Sequence, residues 1–255
     1  MLRTVWLAAA AILVTIPLAT ATIVVAMIAS TSPLIDRIVR LWGRLLVRAA
    51  GIDLQTENVE RLDPSKRYIL VANHYSYLDI PCIVAAIPQP VRFMAKVSLF
   101  KIPIFGWAIG RAGFIPIDRN NRKTAKKSFE MAADRIRKGN TIVIFPEEGR
   151  SRERTMRPFQ RGAFLLALKS EKTIVPVAID STFNVFPVGA KRVTPGKVTV
   201  RIGTPIDTAN LTLRAKDSLL TESREQIETM LFGGPASVIP SEVEGSPSDR
   251  PLRVP

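Results

Sequence analysis

From Thr4 to Ile35 the chain carries no charged residue. That run constrains the architecture more than any other feature, because a helix of about 20 apolar residues crosses the hydrocarbon core of a bilayer. It is long enough for a tilted membrane-spanning helix or for a segment that dips in and returns, and Pro17 is expected to kink it. A cleaved signal peptide is the rival reading, since Arg3 opens the run and Ala19-Thr20-Ala21 has the form of a cleavage site. Ile23–Ile28 continues apolar past that site, which favours a retained anchor. Arg37, Arg40, Arg44 and Arg48 follow the run, whereas only Arg3 and the amino group precede it. The positive-inside rule then puts the rest of the chain on the cytoplasmic side of the cytoplasmic membrane. Residues 1–33 are the expected anchor.

Leu34–Ala50 reads as an amphipathic helix whose four arginines recur at three- and four-residue intervals along one stripe. Such a helix either lies on an anionic membrane surface or packs on a core with an arginine edge left in water. Residues 51–232 alternate. Strand-like runs cover Tyr68–Ala72, Val91–Ala95, Phe114–Asp118, Thr141–Phe145, Thr173–Ile179 and Lys197–Ile202. Helical patterns cover Ile80–Ile87, Asn121–Lys138, Phe159–Lys169 and Leu213–Leu231. Several strands are apolar throughout, such as Ile142-Val143-Ile144-Phe145, as required when both faces of a sheet are covered. The expected fold is α/β: a single domain with a mostly parallel or mixed central sheet covered by helices, preceded by a membrane-anchoring helical segment. In residues 233–255 the periodicity stops and Gly, Pro, Ser and Glu dominate, the composition of a disordered tail.

Composition removes several function classes. There is one histidine, His74, and one cysteine, Cys82, so multi-histidine metal sites and internal disulfides are excluded. The net charge is +14, and Arg92–Lys172 holds 19 Lys/Arg against 7 Asp/Glu. Such a surface attracts phosphates, whether of nucleic acid, anionic lipid or small phosphorylated molecules. The Arg122–Lys127 run is equally a solvated helix face. A membrane-tethered protein binding nucleic acid or anionic lipid is therefore one alternative. However, residues 122–138 lack interleaved aromatics, and no nucleic-acid motif is present.

His74 follows the apolar strand 68–72 and lies five residues before Asp79 in Asn73-His74-Tyr75-Ser76-Tyr77-Leu78-Asp79. On one ideal helix the two would point roughly 140° apart. They meet only if His74 lies in the loop and Asp79 on the first helical turn. Asp79 would then fix the imidazole tautomer and leave the other nitrogen to take a proton from a substrate hydroxyl. Alternatively, Ser76 and Asp79 form a capping box and Asp79 only starts a helix. A second strand runs into Phe145-Pro146-Glu147-Glu148-Gly149-Arg150-Ser151, where Gly149 permits close backbone approach and Arg150 offers a fork for phosphate or carboxylate. Glu147 would orient that arginine or a substrate hydroxyl. Ile117-Asp118-Arg119 ends a third strand in another arginine.

These segments, with Val175–Ile179, resemble the four ordered motifs of the glycerolipid acyltransferase family. Ala95-Lys96, Leu99-Phe100 and Phe159–Phe164 resemble landmarks between them, and the likeness covers about residues 65–205. The resemblance implies transfer of a fatty acyl group from acyl-CoA or acyl-carrier protein to the free hydroxyl of 1-acyl-glycerol-3-phosphate, giving phosphatidic acid. It implies His74 as base and Asp79 as its partner. Lys96, Arg119 and Arg150 would hold the acceptor phosphate, and Glu147, Gly149 and Ser151 would complete the acceptor site. The resemblance implies no metal, no cofactor besides acyl-CoA or acyl-carrier protein as co-substrate, and no acyl-enzyme. The chain departs from the family's Phe-Pro-Glu-Gly-Thr-Arg-Ser pattern by placing Glu148 and Gly149 at the Gly-Thr positions. An extra carboxylate there either faces solvent or indicates a different lyso-lipid acceptor.

Overall fold

The computed structural model describes residues 2–118, 122–137 and 139–233. Arg119 and the tail beyond Gly233 lie outside the described residues. The apolar runs form the expected strands, in a seven-stranded sheet. These are β1 (Ile52–Glu57), β2 (Ile69–Ala72), β3 (Val91–Lys96), β4 (Ile115–Ile117), β5 (Thr141–Ile144), β6 (Ile174–Asp180) and β7 (Gly196–Ile202). Their order is β1-β7-β6-β2-β5-β3-β4. β6, β2, β5, β3 and β4 run parallel, so their carboxyl ends share one edge. β7 runs antiparallel to β6, and β1 parallel to β7, so the sheet is mixed. Residue patterning alone does not indicate β1: only Ile52 and Leu54 are apolar in this edge strand, and most of it is exposed.

Side chains alternate across the sheet as strand geometry requires. Leu70, Ala72, Val143, Phe145, Val175 and Val177 face one core; Ile69, Val71, Ile142, Ile144 and Ile174 face the other. The first core is covered by α1 (Leu2–Ile28), α2 (Pro33–Ala49), α3 (Asp79–Ala86) and α4 (Phe105–Arg111). The second is covered by α5 (Arg122–Arg137), α6 (Gly162–Ser170) and α8 (Lys216–Phe232), while the short α7 (Thr182–Val185) follows β6. Two helix boundaries differ from expectation. α6 begins at Gly162, not Phe159, and the pattern from Leu213 is a short 3-10 turn before α8 begins.

α1 is unbroken through Pro17 and is the helix, among the described residues, long and apolar enough to cross a membrane. Yet it lies against the domain along its length. Near its start, Thr4 Oγ1 donates to Lys191 O at 3.0 Å and accepts from Val193 N at 3.2 Å. Midway, Trp42 Nε1 donates to Thr15 Oγ1 at 3.0 Å, and near its end Ile23 and Met27 adjoin Phe100 and Trp107. The buried stripe Leu7, Ala10, Ala19, Thr22, Ala26 is mostly small, which allows this approach.

α2 packs on α3 through Gly43, where a Cβ would meet Val84 Cγ1 at 2.8 Å. It is tied to the sheet by Asp36 Oδ1, 2.5 Å from Arg92 Nη2 at the start of β3. The Arg92 side chain is only 9% exposed, against 26% for Asp36. Arg37, Arg44 and Arg48 stay exposed, and Arg40 donates to Pro88 O at 2.6 Å. Replacing Asp36 with Ala strands a nearly buried guanidinium. Because water already reaches Asp36, Asp36→Ala should cost about 2 kcal/mol, below the range for a fully buried pair. Denaturant midpoints of the two proteins measure this.

Candidate active site

The site begins where β2 leaves the sheet. Buried Asn73 extends the ladder with its side chain: Nδ2 donates to Ile179 O at 3.0 Å and Oδ1 accepts from Ile179 N at 2.7 Å. The chain then turns, and His74 sits in the loop while Asp79 opens α3. This is the one arrangement in which the two can meet. His74 Nδ1 donates to Asp79 Oδ2 at 2.8 Å, and the same oxygen accepts from Tyr75 N at 2.7 Å and Ser76 N at 2.8 Å. Asp79 is fully buried at a helix N-terminus, where the helix dipole favours its negative charge. Thus imidazole partner and helix start, posed as alternatives by sequence, are one role. Ser76 Oγ accepts from Leu78 N at 3.1 Å and donates to Phe186 O at 2.6 Å, so the serine half of a capping box is absent.

Nε2 of His74 has no partner among the described residues, and the side chain is 14% exposed. The ring stacks on Phe145, with centroids 4.0 Å apart and planes 14° from parallel. Phe145 in turn stacks on Phe93 at 6.0 Å and Phe93 on Phe114 at 5.7 Å. Phe93 and Phe114 line an apolar cavity of about 110 Å³, roofed by Leu18 and Trp42 of α1 and α2 and closed by Leu99 and Phe105. Cys82 is buried in α3, and burial, helped by nearby Asp79, pushes its thiol up, so it stays protonated packing.

Glu147 is 2% exposed and does not orient Arg150, as the sequence suggested. Oε1 accepts from His74 N and Oε2 from Arg157 N, both at 2.7 Å. It is a strut between two loops. Buried Ser151 adds a second tie, its N–H donating to His74 O at 3.0 Å. Arg150 instead lies over the Tyr77 ring, its guanidinium carbon 3.3 Å from the centroid, and its buried Nη1 has no hydrogen-bond partner among the described residues. An unpaired cationic donor of this kind is costly unless an anion completes it. Lys96 is exposed at the end of β3, on the shared carboxyl edge, with no bond to these groups. Arg119, the remaining residue expected at the phosphate, is not described. The ring behind His74 was legible from strand alternation, which places Phe145 with Val143. Tyr77 and Arg157 carry no sequence signal for their positions.

Glu148 answers its own question. Its side chain is exposed on the rim of a small cavity with Met94, Phe129 and Gln160, on the α5–α6 side of the sheet. Its φ is +55°, in the left-handed region that favours glycine.

With that geometry in place, the chain matches the Acyltransferase family model over residues 53–180. It is 33% identical over 191 residues to a 1-acyl-sn-glycerol-3-phosphate acyltransferase of Saccharomyces cerevisiae, covering 74% of this chain and 63% of that one. It is 31% identical to the human 1-acyl-sn-glycerol-3-phosphate acyltransferase alpha, covering 74% and 70%. The chain spans about half the length of its algal and plant relatives; the match to the Chlamydomonas reinhardtii enzyme covers 54% of that protein at 30% identity. The fold is that of the crystal structure of the 1-acyl-sn-glycerophosphate acyltransferase PlsC from Thermotoga maritima, with a TM-score of 0.77 over 90% of this chain and 93% of that one, at 24% identity. The chain belongs to the acyltransferase family.

Two outcomes follow from the strut and the turn. Burial pushes the Glu147 carboxyl up to about 7, against two backbone N–H donors that favour the anion. In the unfolded chain it loses its proton near the ordinary value of about 4.3. Between those values the folded state holds the extra proton, so stability falls as pH rises. Relative to Glu147→Gln, which does not titrate, the wild type should lose about 3 kcal/mol between roughly pH 5 and 8. A pH-independent difference in unfolding free energy would contradict the buried strut. Separately, Glu148→Gly should stabilise by about 1 kcal/mol by relieving the left-handed backbone, seen as a raised thermal midpoint.

Proposed function

We propose that this protein transfers a fatty acyl group from a thioester donor, acyl-CoA or acyl-carrier protein, to the free hydroxyl of 1-acyl-glycerol-3-phosphate, forming phosphatidic acid. The observation that carries the proposal is the free Nε2 of an Asp79-held His74, in a loop tied by Ser151 N to the segment of Arg150, whose buried Nη1 has no hydrogen-bond partner among the described residues, and backed through Phe145 and Phe93 by an apolar cavity. His74 Nε2 removes the acceptor's hydroxyl proton as its oxygen attacks the thioester carbonyl. The resulting imidazolium is stabilised by Asp79 through Nδ1. Collapse of the tetrahedral intermediate breaks the carbon–sulfur bond, and the imidazolium returns its proton to the leaving thiolate. Arg150, with Lys96 and Arg119, holds the acceptor phosphate. The cavity one ring away from His74 takes the acyl chain.

The membrane is reached through the outer face of α1. Ile12, Ile16 and Met27 are exposed there, next to exposed Ile102 and Trp107. A helix held to a charged domain at Thr4, Thr15 and Met27 cannot cross hydrocarbon without drawing polar surface in with it. Immersion in one leaflet, on the cytoplasmic face, suits it better than a span. Relatives named as 1-acyl-sn-glycerol-3-phosphate acyltransferases support the acceptor. The exposure of Glu148 to solvent supports this acceptor over a different lyso-lipid.

His74→Ala should lower acyl transfer about a thousandfold while the protein stays folded and sediments with membranes. Turnover close to wild type in that variant would overturn the mechanism.

A further inference from the structure

The segment after Arg150 holds three further arginines, Arg152, Arg154 and Arg157, and neither the motif pattern nor the charge distribution singles out the last. Arg157 has its main chain fixed from both sides. Its N–H donates to Glu147 Oε2 at 2.7 Å, and its carbonyl accepts from Arg224 Nη1 of α8 at 2.8 Å. Arg224 is itself fixed by Glu228 at 2.9 Å and by the Phe159 ring. Because the other oxygen of Glu147 holds the His74 N–H, one carboxylate couples the backbone of Arg157 to that of the base.

The side chain, by contrast, is free. The Arg157 guanidinium is exposed and has no hydrogen bond or ion pair among the described residues; neither Glu148 nor Glu153 pairs with it. Its Nη1 lies against Gly149, in the space that a Cβ there would take. Gly149 has no left-handed φ, so what a Cβ there would change is the place of the Arg157 guanidinium, a flexible end that it would push aside. The next residue is Arg150, whose buried Nη1 has no partner. The Arg157 guanidinium is thus set against the glycine that precedes Arg150, whose own buried Nη1 calls for an anion.

We infer that Arg157 is a specificity-determining residue that, with Arg150, clamps a phosphomonoester headgroup on the acceptor. This inference rests on the acyltransferase reading above. A phosphomonoester carries close to two negative charges at neutral pH and presents three terminal oxygens, so two forks can each take a pair of bonds. A phosphodiester headgroup carries one charge and has fewer free oxygens. Arg157 thus favours lysophosphatidic acid over lyso-lipids whose phosphate is esterified twice.

The test uses the full chain in vesicles with an acyl-CoA donor. The acceptors are lysophosphatidic acid and lysophosphatidylglycerol, and the variants are Arg157→Gln, Arg157→Lys, Gly149→Ala and Gly149→Ala/Arg157→Gln. Arg157→Gln should lower kcat/KM for lysophosphatidic acid about ten- to a hundredfold, through KM, with the donor KM unchanged and a smaller loss on lysophosphatidylglycerol. Arg157→Lys should recover part of the loss, because charge returns without the fork. Gly149→Ala, which displaces the guanidinium, should reproduce the defect, and the double variant should be no worse than Arg157→Gln alone. An unchanged acceptor KM, an effect confined to the donor KM, or equal losses on both acceptors would overturn the clamp. Wild type that acylates lysophosphatidylglycerol but not lysophosphatidic acid would overturn the acceptor reading itself, an outcome separate from any behaviour of the variants.

Discussion

One carboxylate oxygen, Asp79 Oδ2, gathers three N–H groups and in doing so shapes the site. A buried anion needs that many donors, since an unpaired charge in an apolar interior is costly. Meeting this need forces the chain from His74 to Ser76 to wrap around the first turn of α3. The same oxygen is thus both the start of a helix and the orienting partner of the His74 imidazole, so a change at Asp79 strikes both.

A second carboxylate, Glu147, does comparable work from the neighbouring strand. β2 and β5 lie side by side and parallel, so the residues leaving their carboxyl ends are close together. Glu147 spans the resulting gap between the His74 loop and the Arg157 loop with its two oxygens. Phe145, the residue after β5, supplies the face on which the imidazole rests. Imidazole, ring, strut and arginine are all placed by one pair of strands.

The N-terminal helices show how an apolar segment can serve two solvents. The inner stripe of α1 is small and packs on the domain, while the outer face carries Ile12, Ile16 and Met27 into open space beside Trp107. Hydropathy alone reads this segment as a span, because it averages over both faces. The hydrogen bonds at Thr4 and Thr15 are what argue for a helix lying along the domain. These helices roof the apolar cavity lined by Phe93, whose ring is linked to His74 through Phe145.

Much of the molecule was legible in the residues. The continuous apolar runs marked β2, β5 and β6, because a strand covered on both faces can hold no polar alternation. The single histidine with a carboxylate five residues on pointed to the His74–Asp79 contact, since that contact is local and needs only a loop and one helical turn. β1 was not legible, because an exposed edge strand lacks that pattern, and neither was the reversal of β7, because strand direction leaves no mark on composition. Glu147 as a strut, Arg150 on Tyr77 and Arg157 against Gly149 were decided by the tertiary structure alone. The strut joins positions 73 and 10 residues apart. Which partner a buried carboxylate or a guanidinium finds depends on which strands lie side by side, and only the closed sheet settles that.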